Sequence, residues 1–572
     1  MNINDVSAQL EEIKSELVIF PSRNGLKITA YLDFPQGRKE SLGYVVMAPK
    51  YGETKKNNLQ LAYYLAANGL AVLRFDHTNH VGESEGEMLR YTLPGAVEDI
   101  LGAFDYLEQQ RGIKHAGLVA SSLAARMAIR AASMDIRISH LTCLVGVVNI
   151  QRTLATVYQE DVVSNYLDGK RWGVNDVLGF EIDFENFASA MIDSNLYSLS
   201  STCDDLTLIR VPVSLLAAQN DAWVDIEEVK HAISFTKKGH FHHIQDAMHE
   251  VRENPEAVQK TFQQLVAICV GHAVGGDVLS DRIVAPGKKN LIQQNKAERE
   301  RLRRANPVQQ NEIDFWSQYL SKYKYFQSVD VYQNYINLVG ELLGGFRAGE
   351  LVLDAGCGNG MFGAWAIRHL LARGQVRFDA PVIYSGLDLT HDGIFDAAQK
   401  HESLVKSISQ SANPSEAGIN FIYGRMDFDH LGGPADAISE PIIHFADNTF
   451  DKICCSLLIS YLKNPTELVR HLHRVLRPGG TLVLSSMKPF CDLSEMYRVY
   501  AEKHLSGKSE QEIESGRNLL TAAGKIKFKE ELGVYTFFSS EELNDMLVDC
   551  GFKKLQTFSS FGNQANVVRA EK

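Results

Sequence analysis

The sequence predicts an α/β protein of two domains, each a mostly parallel sheet with helices packed on its faces. Three observations carry that prediction. The chain has 572 residues, more than the roughly 250–300 at which single hydrophobic cores stop growing. Two series of apolar strands, over residues 44–247 and 351–487, alternate with helical segments, the pattern of a sheet buried on both faces. Between them, from about 270 to 310, periodicity gives way to Gly, Pro and charge, which reads as a linker with one exposed helix. The expected division is 1–275, a linker at 276–310, and 311–572.

Composition narrows the function classes. Apolar residues make up 45% and charged residues 22% of the chain, the balance of a soluble globular protein. A formal net charge of −12 argues against a general nucleic-acid surface, whose affinity depends on clustered cations. The run KAERERLRR at 296–304 is basic, but its interleaved glutamates read as a solvated helix. The opening MNINDVSAQLEEIKSEL has acids and no apolar core, so no secretory signal is expected, and no apolar stretch approaches the length of a membrane span. Eight cysteines are scattered without a C-x-x-C pair or a histidine at ligand spacing. Reduced cysteines, no structural metal and a cytoplasmic location are therefore expected, with Cys357, Cys454 and Cys455 serving as small apolar residues.

Residues 17–34, LVIFPSRNGLKITAYLDF, read as a β-hairpin turning at Asn24-Gly25. Apolar strands follow at 44–49, 71–76, 117–122, 141–149, 211–221 and 240–247, with helical segments such as NLQLAYYLAANG and AVEDILGAFDYLEQQ between most of them. The strand at 117–122 ends in Ala120-Ser121-Ser122-Leu123-Ala124 and runs straight into the helix-forming ARMAIRAA. This is the small-x-Ser-x-small form of a nucleophile elbow, whose sharp turn lifts the serine above the sheet. Alanines stand where glycines usually do. Downstream, VPVSLLAAQND delivers Asp221 and HFHHIQDAMHE delivers His249, the order Ser, Asp, His expected of an α/β-hydrolase. In that arrangement His249 takes the hydroxyl proton of Ser122, while Asp221 fixes the imidazole tautomer and stabilises its charged form. Asp225 and Asp246 are alternative acids, and His240, His242 and His243 are alternative bases placed less well, on or before the strand. The oxyanion hole would use the Leu123 N–H and one from the loop Ala48-Pro49-Lys50-Tyr51-Gly52, where proline has none, so Tyr51 or Lys50 is the candidate.

The segments YLAANGLAVLRFDHTNHVGESEG (64–86), ASSLAAR, VVNIQRTL (147–154) and AAQNDAWV (217–224) together resemble the acyl-transferase, or acyl-carrier-protein thioesterase, family of the bacterial luminescence fatty-acid reductase system, over most of residues 15–265. HVGESEG and the DAWV after the acid make this more specific than the general fold. The resemblance implies a Ser122 acylated by a long-chain thioester, carried on acyl carrier protein or coenzyme A, with the acyl group passed to water or another acceptor. Residues 151–205 interrupt the strand series. They read either as a cap over the acyl pocket or as a packed insertion.

In the second half, LVLDAGCGNG at 351–360 is an apolar strand that ends in Asp354 and passes at once into Gly356, Gly358 and Gly360 before a helix. Glycines let the backbone bend sharply near a ligand, and a helix N-terminus offers unpaired N–H groups. An acid at the strand end suits a positively charged amino group rather than a pyrophosphate. A second strand, PVIYSGLDLT, ends in Asp388, placed to accept ribose hydroxyls. A third, INFIYGRMDF, ends in Met426 and Asp427, suited to bracket an adenine. FDKICCSLLIS and TLVLSSM complete five strands, and KKLQTFSSFG with NQANVVRAEK forms a closing hairpin. Residues 310–572 resemble the class I S-adenosylmethionine-dependent methyltransferases, which implies S-adenosyl-L-methionine as cofactor and a Rossmann-like domain; an NAD-binding domain is the rival.

Tyr332 and Tyr335, on helices before the first strand, are either site-lining or core residues. Lys488–Glu531 is an insertion where acceptor-binding caps are built, and Tyr461 and Lys488 are acceptor-side or structural groups. No histidine after the fourth strand announces a general base, but methyl transfer chiefly needs in-line positioning, so a missing base does not exclude catalysis.

The reading is an α/β-hydrolase with a cap insertion followed by a Rossmann-like methyltransferase domain. Its expected function is bifunctional: a serine acyl-transferase/thioesterase acting on fatty acyl thioesters, fused to a small-molecule methyltransferase. A general esterase fused to a methyltransferase, or a biosynthetic scaffold with one silent domain, is the alternative.

Overall fold

Both strand series close into sheets in a computed structural model, which describes residues 13–35, 40–177, 180–305, 312–322, 330–372, 379–409, 418–429, 445–491, 524–530 and 532–572. The chain divides into two compact units, residues up to 307 with 523–533, and residues 308–522 with 534–572.

The first unit is built on β1 (Ile13–Pro21), β2 (Lys27–Pro35), β3 (Gly43–Ala48), β4 (Leu70–Phe75), β5 (Ala116–Ser121), β6 (Ile138–Leu144), β7 (Val174–Val177), β8 (Phe180–Asp183), β9 (Val213–Ala218) and β10 (Gly239–Ile244). Eight of these form one sheet in the order β1-β2-β4-β3-β5-β6-β9-β10. The hairpin turns at Asn24-Gly25 as expected, with Gly25 at φ +89°, and joins antiparallel to β4; from β4 onward every pairing is parallel. Two-faced burial explains the near-continuous apolar strands: β4 and β9 are buried at every position. Helix Leu93–Arg111 starts where Thr92 accepts from the Gly95 amide and stops at Gly112 in the left-handed region. The 151–205 insertion contains helices and a separate hairpin, β7 paired with β8. Each of those two strands is only four residues long, too short for alternation to mark it in the sequence.

Within 276–310 the structure departs from an exposed linker. Helix Lys288–Ala305 belongs to the first unit, and its Glu298 and Leu302 are buried. The reason is Arg74, wholly buried on β4, whose guanidinium is held by Asp33 at 2.5 Å and by both oxygens of Glu298 at 2.5 and 2.7 Å. A charged run is solvated only if no buried counter-charge claims one member. Breaking a buried pair from one side leaves an uncompensated ion, so Glu298→Ala is expected to cost about 3 kcal/mol, read as a lowered urea midpoint of the full chain.

The second unit carries β11 (Leu351–Ala355), β12 (Val382–Asp388), β13 (Ile419–Arg425), β14 (Phe450–Cys455), β15 (Leu476–Met487), β16 (Lys553–Ser560) and β17 (Ala565–Glu571). Their order is β13-β12-β11-β14-β15-β17-β16, parallel through β15 and antiparallel at the closing hairpin. The strand order reverses between β11 and β14, so ligand sites are expected beyond the carboxyl ends of β11 and β12. Most of the insertion at 488–531 lies outside the described residues. None of the eight cysteines is in a disulfide, and Cys357, Cys454 and Cys455 are buried. Among the described residues no helix is long and apolar enough to cross a membrane.

Candidate active sites

β5 ends at Ser121, and the next residue, Ser122, has φ +53°. That left-handed turn is strained for a residue with a Cβ. It is held by the Ser122 amide on the Leu144 carbonyl and by the Val147 amide on the Ser122 carbonyl. Gly146 gives the helix after the elbow its room: a Cβ there would lie 2.7 Å from that of Ala125. Ser122 Oγ lies 2.7 Å from His249 Nε2, and His249 Nδ1 lies 2.7 Å from Asp221 Oδ2. The other oxygen of Asp221 accepts from the Trp223 and Val224 amides, so DAWV is the turn that fixes the acid. The structure thus brings Ser122, His249 and Asp221 together in hydrogen-bonding sequence. The alternatives lie elsewhere. Asp225 caps helix Ile226–Ile233 and pairs with Arg152; Asp246 is exposed; His242 meets Gln264.

Leu123 begins the turn into helix Ala124–Met134, which puts its amide beside the serine. In the facing loop, the Gly52 amide is taken by His80 Nε2 at 3.1 Å and the Glu53 amide by the Lys50 carbonyl, which leaves Tyr51 and Lys50 as the candidate donors. The Tyr51 ring is anchored by its hydroxyl on the Val177 carbonyl at 3.2 Å. His80 was not singled out in the sequence, although it opens HVGESEG. Burial first, and His77 second, push its imidazole down to about 3, so it stays neutral and keeps a lone pair for Gly52. The rest of that motif is a brace: the Glu83 amide and Lys55 both bind Asp76. Replacing His80 by alanine is expected to lower kcat for ester cleavage about tenfold, as loss of a supporting contact does, with His80→Gln retaining more; stopped-flow acylation rates check it.

Beneath His249, Glu250 sits buried in a cluster with Lys50, Glu53 and Arg252. Burial pulls the Glu250 carboxyl up, but Arg252, Lys50 and Lys527 outweigh it and hold the group below the usual carboxylate range.

In the second unit Asp354 is the fourth residue of β11, between Gly386 of β12 and Cys454 of β14. Its Oδ2 accepts from the Tyr384 hydroxyl at 2.5 Å, while Oδ1 is buried without a hydrogen-bond partner among the described residues. Burial pushes its carboxyl up to about 7 against the opposing pull of Tyr384 and Cys454. Asp388, at the end of β12, accepts from the Gly358 amide at 2.8 Å and from Thr390 N and Oγ1; burial raises it as well. Its carboxylate therefore fixes the glycine turn.

The glycine turn differs from expectation in one respect. The amides of Gly356 and Cys357 both donate to the Leu387 carbonyl, Gly358 to Asp388, and Gly360 to the Cys357 carbonyl. These four are not unpaired N–H groups. Lys400 and His401 brace the turn from the next helix, on the carbonyls of Asn359 and Gly360. The three glycines have φ of +76°, +50° and +79°, and Leu320 lies 3.4 Å from where a Cβ on Gly358 would be. Leu320, on helix Glu312–Lys322, thus faces the turn, whereas Tyr332 and Tyr335 are core residues, Tyr335 bonding Ser456 and Ser485. Met426 is drawn into the core and Asp427 stays exposed. Tyr461 packs on Trp316 and Tyr535, and Lys488 binds Ser559 and Asn563. An orphaned buried carboxylate oxygen beside committed amides fits a cofactor that presents a cation.

An α/β-hydrolase fold bearing a serine-histidine-aspartate constellation and a second, Rossmann-like unit with a glycine turn define the class: an acyl-group enzyme joined to a methyltransferase domain. Residues 23–305 match the family described as acyl transferase, and residues 329–557 match a methyltransferase domain family. An acyl transferase of Photobacterium leiognathi is 31% identical over 263 residues, covering 42% of this chain and 82% of the relative; one of Vibrio campbellii is 26% identical over 276 residues, covering 48% and 90%. A solved structure of a Pyrococcus furiosus esterase is similar over 49% of this chain and 97% of its own, at 17% identity and a TM-score of 0.33. The chain belongs, through its first half, to the acyl transferase family.

Proposed function

We propose that residues 1–275 hold a serine acyl-transferase/thioesterase and residues 311–572 an S-adenosylmethionine-dependent small-molecule methyltransferase. The observation that carries the first part is the 2.7 Å and 2.7 Å chain from Ser122 through His249 to Asp221. His249 takes the Ser122 proton as Oγ attacks the thioester carbonyl, and the Leu123 and Tyr51 amides hold the oxyanion. The carbon–sulfur bond then breaks, His249 returns the proton to the departing thiolate, and the acyl group stays as an ester on Ser122. Water or another hydroxyl, deprotonated by the same imidazole, releases it. The acyl donor is acyl carrier protein or coenzyme A, in keeping with the family.

For the second part, Asp354 Oδ1 would hold the ammonium of S-adenosyl-L-methionine and Asp388 the ribose hydroxyls, with Asp427 at the adenine end. When bound, the cofactor supplies an electrophilic methyl group. This chain's contribution is to bind, orient and exclude water; the acceptor is a small molecule, since no basic surface for nucleic acid is implied by a net charge of −12.

Long-chain acyl-carrier protein and S-adenosylmethionine are incubated with the enzyme while intact protein mass and small-molecule products are followed. An acyl adduct together with a methylated acyl product supports both activities on one substrate; thioester turnover without it separates the two sites. No adduct and no turnover overturns the thioesterase. Tighter equilibrium binding of NAD than of S-adenosylmethionine overturns the methyltransferase reading.

A further inference from the structure

Residues 523–533 belong to the first unit although the chain on both sides of them, 308–522 and 534–572, builds the second. The helical stretch 524–530, GKIKFKE, is seated on the first unit at three points. Lys527 Nζ lies 3.5 Å from Glu250, the residue directly after His249. Glu530 lies 3.5 Å from Lys56 and 3.6 Å from Arg299. Gly533, at φ +73°, lets the chain leave so close to Arg299 that a Cβ would meet its carbonyl oxygen at 2.6 Å, a left-handed turn that suits glycine. Ile526, Lys529, Glu530 and Leu532 are buried.

Between the anchors, Phe528 meets Phe180 edge-on, with ring centroids 5.2 Å apart. Phe180, the first residue of β8 in the insertion, meets Tyr51 edge-on at 5.6 Å and is so close to Gly52 that a Cβ there would lie 2.7 Å from its ring. Three rings therefore run in file from the loop that carries the candidate oxyanion amides to a segment contributed from the far half of the sequence. Phe180 is buried, while Phe528 is half-buried and keeps part of its ring open.

We propose that residues 524–530 form a wall of the acyl-binding site around Ser122, and that Phe528 sets its preference for long apolar acyl chains. The proposal rests on Ser122 as the acyl-accepting nucleophile. Geometry gives the selectivity its direction. Phe528 is two ring contacts removed from Tyr51, so on this proposal a short acyl group on Ser122 ends before it, and a long one reaches it and buries apolar surface against its ring. Lys527 ties the same segment to the buried cluster beneath His249, which keeps the wall in register with the nucleophile. The acyl-transferase half is then incomplete without a stretch that lies some 220 residues downstream of its last helix.

The test uses the full-length protein and its Phe528→Ala and Phe528→Leu variants. Each is assayed with butanoyl- and hexadecanoyl-coenzyme A, and Ser122 labelling is timed with an ethyl and a hexadecyl fluorophosphonate, which need no thioester activity. In Phe528→Ala the hexadecanoyl kcat/KM and hexadecyl labelling rate are expected to fall about tenfold, the size of effect one apolar contact gives, through KM rather than kcat. The short-chain values should stay within about twofold, the thermal midpoint should hold, and Phe528→Leu should recover most of the loss. Equal losses for both chain lengths, or no change in either, overturn the proposal. Thioester turnover that is absent from the unaltered enzyme defeats the thioesterase reading alone, since the two labelling rates still report the wall; labelling that persists in Ser122→Ala defeats Ser122 itself.

Discussion

Replacing Ser122 by alanine is expected to abolish the acyl adduct and to lower thioester turnover at least about a thousandfold, the loss that follows removal of a nucleophile acting as a unit with its base. The fold should survive the change. Among the described residues the Ser122 hydroxyl bonds only to His249 Nε2, while the turn is held through backbone atoms of Ser122, Leu144 and Val147. Alanine places the same Cβ in the same left-handed position, so the strain at φ +53° is unchanged. A thermal midpoint near that of the unaltered protein, together with lost acylation, separates chemistry from stability. Turnover above about one-tenth of the original would mean that another group attacks the thioester, and the chain from Ser122 to Asp221 would then have a different purpose.

The parts of this site that sequence could supply are those whose signals are local. The Asn24-Gly25 turn, the serine between two small residues at a strand end, and the order Ser122, Asp221, His249 each depend on a few neighbouring residues or on the order of strands, and each has its place in the structure. What the sequence concealed is long-range. Glu298 sits in a run that reads as solvated, and nothing near it announces Arg74, 224 positions away. Lys56 and Glu530 are separated by 474 positions, and the alternation in GKIKFKE does not say which half it packs on. His80 is hidden for another reason. A histidine that accepts from one backbone amide has no spacing rule; only the loop it supports reveals it.

The same reasoning bears on the glycine turn, whose residues were legible but whose hydrogen bonds were not. Glycine spacing predicts where a backbone bends, and it does not say whether the amides at the bend face a ligand or are consumed by Leu387, Asp388 and Cys357. With those amides engaged, two buried carboxylates dominate the field at the ends of β11 and β12. A pyrophosphate would meet negative charge there; an ammonium would be drawn to it.

The substitution Asp354→Asn is accordingly expected to weaken S-adenosylmethionine binding roughly 10- to 100-fold, the worth of one charge-assisted hydrogen bond, and to flatten its pH dependence. In the unaltered protein the carboxyl of Asp354 is pushed up to about 7 by burial, from an ordinary value of 3.8. Between those two values the folded protein holds a proton that the unfolded chain has lost, so folding stability falls as pH rises through this window and levels off above about 7. Cofactor binding has the opposite slope. Below about 7 a bound ammonium must first displace the proton, so affinity should drop by up to about tenfold for each further pH unit. The amide that replaces the carboxyl still accepts the Tyr384 hydroxyl but never ionises, so the Asp354→Asn protein should melt higher than the parent at about pH 8 without ligand, yet gain less from added S-adenosylmethionine. Calorimetric titration and thermal melts at about pH 5.5 and 8 read both quantities. Undiminished affinity in the variant, or an affinity in the parent that is flat across that range, would show that the ammonium is held elsewhere, and that the orphaned oxygen of Asp354 is only a buried acid kept neutral by its surroundings.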